Sequence, residues 1–99
     1  VSKMISTLLR ALRERRLLRF TYAGETRLCE PHVLGLANHK RQLLCYQTAG
    51  GSLSGDIPEW RRFELGGITD LKLLKRKFDG PRPTPHPYSI WASVIATVK

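Results

Sequence analysis

The hydrophobic pattern of the chain changes period near residue 15, and this change decides the class of fold. The apolar residues between Met4 and Leu12 fall on one side of a helical wheel, within an arc of roughly 140°. Further along, Leu18, Phe20 and Tyr22 alternate with polar residues, which is typical of a half-buried strand. The pattern therefore predicts a mainly β fold with one flanking amino-terminal helix, which ends near residue 14 or 15.

Four more short strands are predicted after the first one, separated by turn residues. Pro31 lies inside the second strand and cannot donate a ladder hydrogen bond, so it marks an edge or a bulge. The third strand is apolar on both faces, which predicts a central position. The residues from Thr48 to Glu59 are rich in glycine and serine and predict a loop. Five short strands and one helix indicate a small barrel. The four later strands are Thr26–Leu36, Gln42–Gln47, Trp60–Leu65 and Ile68–Leu74.

The carboxyl-terminal fifth of the chain has a different character. Prolines occupy every second position from Pro81 to Pro87, which predicts an extended strap across the surface. Beyond them the apolar residues from Ile90 to Val98 have helical spacing, although several are β-branched and favour a strand. We expect residues 1–78 to form a helix plus barrel domain, and residues 79–99 to form a proline-rich strap and a short helix.

Charge and length limit the possible functions. The 99 residues suffice for one small domain and leave little room for a large cofactor, so none is expected. Seventeen basic against eight acidic residues leave a formal charge of +9, which favours an anionic, phosphate-bearing partner. Two cysteines and no signal segment favour the cytoplasm. The apolar stretch near the end is about half the length that spans a bilayer, so no membrane partner is expected.

Arg61 is the most informative position, because alternation places it on the same face as Phe63, which must look inward. An inward guanidinium needs an acidic neighbour, a wet pocket or an anionic ligand. An internal ion pair with Glu30 is the structural alternative to a ligand pocket. Three aromatic residues are candidates for lining such a pocket, although buried aromatics are more often simply core: Tyr22, Tyr46 and Trp60.

Other chemical patterns are weaker. Cys29 and His32, with His39 and Cys45, superficially suggest zinc ligands, but residues three apart on a strand face opposite ways unless Pro31 imposes a bulge. The segment 50–55 is glycine-rich but lacks the Gly-Lys-Ser/Thr ending of a phosphate-binding loop. No serine, histidine and carboxylate spacing indicates catalysis. We therefore expect neither an enzyme nor a metal site.

The order of several motifs resembles the WYL-domain family, and in particular its short stand-alone members. The resemblance covers about residues 5–78, and each motif alone would be weak. The matching pieces are an arginine-rich run that ends in Phe-x-Tyr, a Glu-Pro pair and an Arg-x-Phe strand. In this chain they are Ala11–Tyr22, Glu30–Gly35, Arg61–Phe63 and Ile68, followed by Phe78 and Pro81–Pro83.

The resemblance implies a five-stranded Sm-like or SH3-like barrel that senses nucleotides or single-stranded nucleic acid in a bacterial transcription regulator, without catalysis. Arg61, Phe63 and Tyr22 match the family's ligand-linked positions. Two positions depart from the family pattern. The name-giving Trp-Tyr-Leu is Gln42–Leu44 here, and Gly67 replaces the basic residue that usually precedes the isoleucine.

Two functions follow as hypotheses. In the first, the barrel binds an anionic nucleotide or single-stranded nucleic acid through Arg61, with Tyr22 and Phe63 shaping the adjacent wall. In the second, the module assembles with a protein partner or a second copy through the apolar tail, and the basic surface is only solubilising.

Overall fold

The computed structural model describes residues 2–51 and 58–99. It contains one α-helix and six strands, with two short 3-10 helices at Leu65–Gly67 and His86–Ser89. The middle of the loop expected at residues 48–59 lies outside the described residues. The elements are α1 (Ser2–Glu14), β1 (Arg16–Tyr22), β2 (Glu25–Ala37), β3 (Lys40–Gly50), β4 (Glu59–Glu64), β5 (Thr69–Lys77) and β6 (Ser93–Thr97).

The strands form one antiparallel sheet in the order β4-β3-β2-β1-β5, and β6 pairs with β2 off this path. The mainly β class with one amino-terminal helix is confirmed, and β3 is central as predicted. The predicted number of five strands is wrong, because the tail supplies a sixth. Among the described residues no pairing joins β4 to β5, so the sheet is open along this path.

Residues with left-handed backbone conformations lie where the chain turns from one element to the next. Arg15 has φ of 56° and ends α1, so β1 begins without a loop. Ala23 and Gly24 have φ of 52° and 78°, and Asn38 and His39 have φ of 52° and 63°. Two consecutive positive φ values are the signature of the tight hairpin turn that suits twisted strands. Both predicted turns are therefore confirmed as two-residue hairpins.

Pro31 lies where β2 changes partner. The β1 pairing of β2 ends at Cys29, and the β6 pairing begins at Val33. A register shift against β3 also falls between Pro31 and Val33. Because proline has no N–H to donate, it fits the gap between two partner strands. The predicted bulge is confirmed, and the alternative of an edge strand is wrong because β2 is interior.

The core lies between α1 and one face of the sheet. Leu8, Ala11 and Leu12 of the helix pack against the strand side chains that alternate toward the helix side of the sheet. Leu43 and Leu44 of β3 are both fully buried. The remaining strand and tail contributors to this core are Leu18, Phe20, Cys29, Leu34, Cys45, Phe63, Ile68 and Val98.

The predicted short carboxyl-terminal helix is wrong. Ser93–Thr97 is instead the strand β6, which pairs with Val33–Leu36 of β2. β-branched side chains pack well on a pleated surface, and the second half of β2 has an edge that β1 leaves open. Trp91 lies against Gly35, where an added Cβ would come within 2.6 Å of the indole ring. Tertiary pairing thus outweighs the helical spacing.

The proline-rich segment is extended, as predicted, and it is fixed to β2. Arg82 donates from its backbone N–H to His32 Nε2 at 3.2 Å, and its guanidinium binds both carboxylate oxygens of Glu30 at 2.7 and 3.0 Å. The segment therefore acts as a strap that closes one side of the sheet. In the described part of the chain, no helix has the length and apolar character that a membrane span requires.

Candidate functional site

Four of the five predicted site residues border one cleft of about 370 Å³. The cleft lies at the end of the β1–β2 hairpin and is closed on one side by β4. This volume is at the small end of the range for ligand pockets. The lining side chains are three arginines, one glutamate, four aromatic residues and an alanine: Arg27, Arg61, Arg62, Glu59, Tyr22, Trp60, Phe63, Tyr88 and Ala23.

Arg61 is held in the cleft largely shielded from water. Its side chain is 12% exposed, and Nη2 donates to Glu59 Oε1 at 2.8 Å. The alternative partner considered from the sequence, Glu30, is not its partner, because Glu30 binds Arg82 in the strap. The expected placement of Arg61 beside Phe63 is thus observed.

Phe63 and Tyr22 form the aromatic wall of the cleft. Their rings meet edge to face with centroids 4.9 Å apart, and Phe63 meets Phe20 of the core in the same way at 5.0 Å. The Tyr22 hydroxyl accepts a hydrogen bond from the backbone N–H of Glu64 at 3.2 Å, which fixes the ring. An added Cβ at Gly67 would lie 2.7 Å from Tyr22 Cε1. The absence of a side chain at Gly67 therefore leaves room for this ring.

Trp60 and Tyr46 are engaged elsewhere. Trp60 meets His32 edge to face at 4.7 Å and Tyr46 at 5.4 Å, on the strap side of the sheet. The Tyr46 ring also carries the Arg82 guanidinium 4.2 Å from its centroid. Trp60 still borders the cleft, but Tyr46 does not. Tyr46 pairs with Trp60 across β3 and β4 and lies under the Arg82 guanidinium of the strap.

Arg27 is the functional candidate that sequence reasoning missed. It is 4% exposed and lies with its guanidinium carbon 5.8 Å from the Tyr22 ring centroid and 5.6 Å from that of Phe63. Nη2 donates to the Tyr22 carbonyl at 3.0 Å. In residues 2–51 and 58–99, Nε has no hydrogen-bond partner and no carboxylate forms a salt bridge with this side chain. The sequence did contain a signal for Arg27. It lies two residues before the buried Cys29 on β2, so the two side chains point to the same face of the sheet.

Gln47 holds Arg27 in place. Its amide oxygen accepts from Arg27 Nη1 at 3.3 Å, and its amide nitrogen donates to the carbonyls of Ala49 and Gly51 at 3.2 and 2.9 Å. Gln47 is fully buried, so its amide orientation is set by these three bonds. The arrangement gives Arg27 only neutral oxygen partners and leaves its full charge beside the cleft.

Arg62 connects the cleft to the tail. Its Nη2 donates to the carbonyls of Tyr88 and Ile90 at 3.1 and 2.6 Å, and its guanidinium carbon lies 3.9 Å from the Trp91 ring centroid. Burial lowers the pKa of Arg62, because the charged form loses solvent. These contacts lie toward the tail, although Arg62 also borders the cleft.

A second, larger cleft of about 420 Å³ lies beneath the strap and is a weaker candidate. Its buried carboxylate, Glu30, is already neutralised by Arg82 through two hydrogen bonds. That pair raises the pKa of Arg82, chiefly through the hydrogen bonds themselves. The Arg27 cleft, in contrast, has three arginines for one carboxylate among its described lining residues.

The histidine and cysteine pattern does not form a metal site in the described residues. The bulge at Pro31 is present, but both His32 nitrogens are occupied. Nε2 accepts from the backbone of Arg82, so Nδ1 carries the proton and donates to the Glu30 carbonyl at 2.9 Å. Cys29 and Cys45 are buried thiols, and burial raises the pKa of Cys45. They behave as small apolar core residues.

The fold and the cleft define the class of protein: a small antiparallel β-sheet domain with an amino-terminal helix and a cationic, aromatic-walled cleft. Comparison of the chain with protein-family models, with curated proteins and with solved structures gives no match. The assignment of a function therefore depends on the geometry of the cleft.

Proposed function

We propose that this protein is a non-catalytic ligand-sensing module that binds an anionic nucleotide or single-stranded nucleic acid in the Arg27 cleft. The proposal includes the WYL-like relationship, a barrel-like Sm or SH3 architecture, and a role in bacterial, cytoplasmic transcription regulation. The observation that carries it is the burial of the Arg27 guanidinium without a carboxylate partner among the described residues. Such a burial costs several kcal/mol unless an anion compensates it.

The cleft offers what a nucleotide requires. Guanidinium groups bind phosphate through charge-assisted hydrogen bonds, and Arg61 and Arg27 approach the cleft from β4 and β2, which flank β3. Tyr22 and Phe63 supply aromatic surface against which a base or sugar can pack. The net charge of +9 attracts polyanions toward this site.

Fluorescence anisotropy with labelled short oligonucleotides, and competition by common nucleotides, test the proposal. We expect Arg61→Ala to weaken binding by roughly tenfold or more, because one charge-assisted hydrogen bond contributes about 1.5 to 3 kcal/mol. Arg19→Ala removes the same charge from an exposed position on the opposite face of β1 and serves as the matched control. The affinity of the wild type should fall steeply with salt. Equal affinities for both variants and the wild type would remove the cleft from the function.

The apolar tail favours a second candidate function, assembly with a second copy of this chain. Ile90, Val94 and Ile95 are 60, 52 and 49% exposed, and among the described residues β6 pairs only with β2. Residues 89–98 carry no charge, so two highly basic copies approach there with the least repulsion. An antiparallel pairing of β6 with its copy would cover these side chains.

Sedimentation velocity distinguishes this candidate from a monomer. Truncation before the strap is unsuitable, because it also removes β6 and the buried Val98. Val94→Lys and Ile95→Lys leave the β2 pairing and Trp91 in place, and they should convert a dimer into a monomer. A wild type that sediments as a monomer over a wide concentration range excludes the second candidate.

A further inference from the structure

Burial of the charged groups differs across the cleft. Arg27 and Phe63 are 4 and 1% exposed and form its inner part, whereas Arg62, Glu59 and Tyr88 are only partly buried and lie nearer solvent. A ligand group that reaches Arg27 must therefore pass the less buried residues. The following inference rests on the proposed function and concerns which part of a nucleotide takes the inner position.

The size of the cleft restricts that part. A volume of about 370 Å³ suits a single nucleotide better than a run of several. A phosphodiester inside a strand carries a nucleotide on each side, so both neighbours would have to leave through the same opening. A terminal phosphate has only one substituent and can enter first, with its nucleoside behind it against Tyr22 and Phe63.

The charge of the described lining points the same way. Three guanidinium groups face one carboxylate, Glu59, and that carboxylate is paired with Arg61. Three positive charges and one negative charge leave the described lining with a net charge of +2. This net charge matches a phosphate monoester, which carries about −1.5 to −2 at neutral pH, better than a diester with its single charge. The guanidinium of Arg27 presents several N–H donors. Its bonds to Gln47 and to the Tyr22 carbonyl are with neutral oxygens, so a phosphate adds the missing anion without displacing a carboxylate.

From these observations we infer that the inner part of the cleft recognises a terminal phosphate monoester, the end of a nucleotide or of a phosphorylated single strand. Arg27 provides the innermost contact, Arg61 the second, and the aromatic wall receives the first nucleoside. Internal phosphodiesters bind the cleft less tightly than a terminal phosphate, because both neighbouring nucleotides must leave through the same opening.

The test uses the full chain and one sequence of oligodeoxyadenylate with four ends: unphosphorylated, 5′-phosphorylated, 3′-phosphorylated and 5′-methylphosphorylated. Adenosine and its 5′-monophosphate repeat the comparison without a strand, and inorganic phosphate reports on the anion alone. We expect at least tenfold tighter binding of one phosphorylated end than of the unphosphorylated strand. The methyl ester, with one charge less, should lose most of that gain. The gain should also shrink below about pH 6, where the monoester takes up a proton.

The ligand comparison needs no variant, so it remains informative even if changes at Arg27 impair folding. Arg27→Lys keeps the charge and should lose the preference for a phosphorylated end more than the affinity for the unphosphorylated strand. Its fold is checked by circular dichroism.

Two unfavourable results are distinguishable. If all four strands bind equally and Arg61→Ala weakens them all, the terminal-phosphate inference is wrong and the proposed function stands. If no strand or nucleotide binds at low salt, the proposed function fails and the inference fails with it.

Discussion

The fold depends on the strap, and the ion pair between Glu30 and Arg82 allows that dependence to be measured. Glu30 is 6% exposed and accepts two hydrogen bonds from the Arg82 guanidinium, at 2.7 and 3.0 Å. Arg82→Ala removes both bonds and leaves a carboxylate on the interior strand β2. Loss of one partner of a buried pair costs about 3 to 5 kcal/mol. Because the Arg82 side chain is 45% exposed, water can enter the gap, and we expect a cost nearer about 2 kcal/mol.

This loss should be visible in thermal unfolding. A small domain loses roughly 4 to 8 °C in Tm for each kcal/mol, so Arg82→Ala should lower the midpoint by roughly 8 to 16 °C. Far-UV circular dichroism follows the transition, and urea unfolding at one temperature gives the free energy directly. Arg76→Ala is the matched control, since the Arg76 side chain is exposed and has no hydrogen bond among the described residues. It should shift stability by no more than about 0.5 kcal/mol.

The double variant Glu30→Gln with Arg82→Ala tests the reason for the loss. If the cost comes from an uncompensated carboxylate, removal of that charge recovers part of it, and the two substitutions are non-additive by about 1 to 2 kcal/mol. The interpretation would be refuted if Arg82→Ala behaved like Arg76→Ala. It would also be refuted if Glu30→Gln added its own full cost to that of Arg82→Ala.

Three further variants and conditions test other parts of the structure. Burial lowers the pKa of His32 below its ordinary value, so the unfolded chain takes up a proton that the folded chain resists. Stability should be level above about pH 6.5 and fall as the pH drops below that value, as measured by urea midpoints. Gly35→Ala places a Cβ 2.6 Å from the Trp91 ring and should cost about 1 to 3 kcal/mol in urea unfolding, with altered tryptophan fluorescence. Gly67→Ala forces the Tyr22 ring to move and should weaken oligonucleotide binding several-fold while it lowers Tm only slightly.

Two of these three expectations, the one for Gly67 and the one for pH, have a matched control. Gly66→Ala lies beside Gly67 in open space, with nothing within 4 Å of an added Cβ, so it should leave binding unchanged. His32→Gln removes the titrating ring and should flatten the dependence of stability on pH. Equal binding losses at both glycines, or an unaltered pH profile in His32→Gln, would contradict the assigned contacts.

Much of the fold could be predicted because local pattern and tertiary environment agree. The change of period near residue 15 marks the end of α1, and the two hairpins follow from turn residues that accept positive φ. The tail could not be predicted in this way. Its helical spacing is a local signal, whereas β6 forms because the second half of β2 has an open edge, which no short window of sequence reveals.

The site shows the same division. Alternation placed Arg61 beside Phe63, and both line the cleft. Arg27 has an equally clear signal, because it shares parity with Cys29, but it becomes informative only when the surrounding carboxylates are known. For Tyr46 the sequence is less informative, because aromatic character does not show which of the two buried faces of β3 carries a side chain.

Arg62 contacts both the cleft and the tail, to which the two proposed functions are assigned. Its guanidinium borders the cleft, yet it is bound by the carbonyls of Tyr88 and Ile90 and stacked on Trp91, just before β6. A phosphate in the cleft would compete with the Tyr88 and Ile90 carbonyls for hydrogen bonds from the Arg62 guanidinium. A ligand that binds Arg62 is therefore expected to weaken the contacts that hold the tail. Linkage is reciprocal, and displacement of the tail must then change ligand affinity by the same factor. Ligand binding and the exposure of β6 are therefore expected to be coupled through this one side chain, with no need for a rearrangement of the sheet.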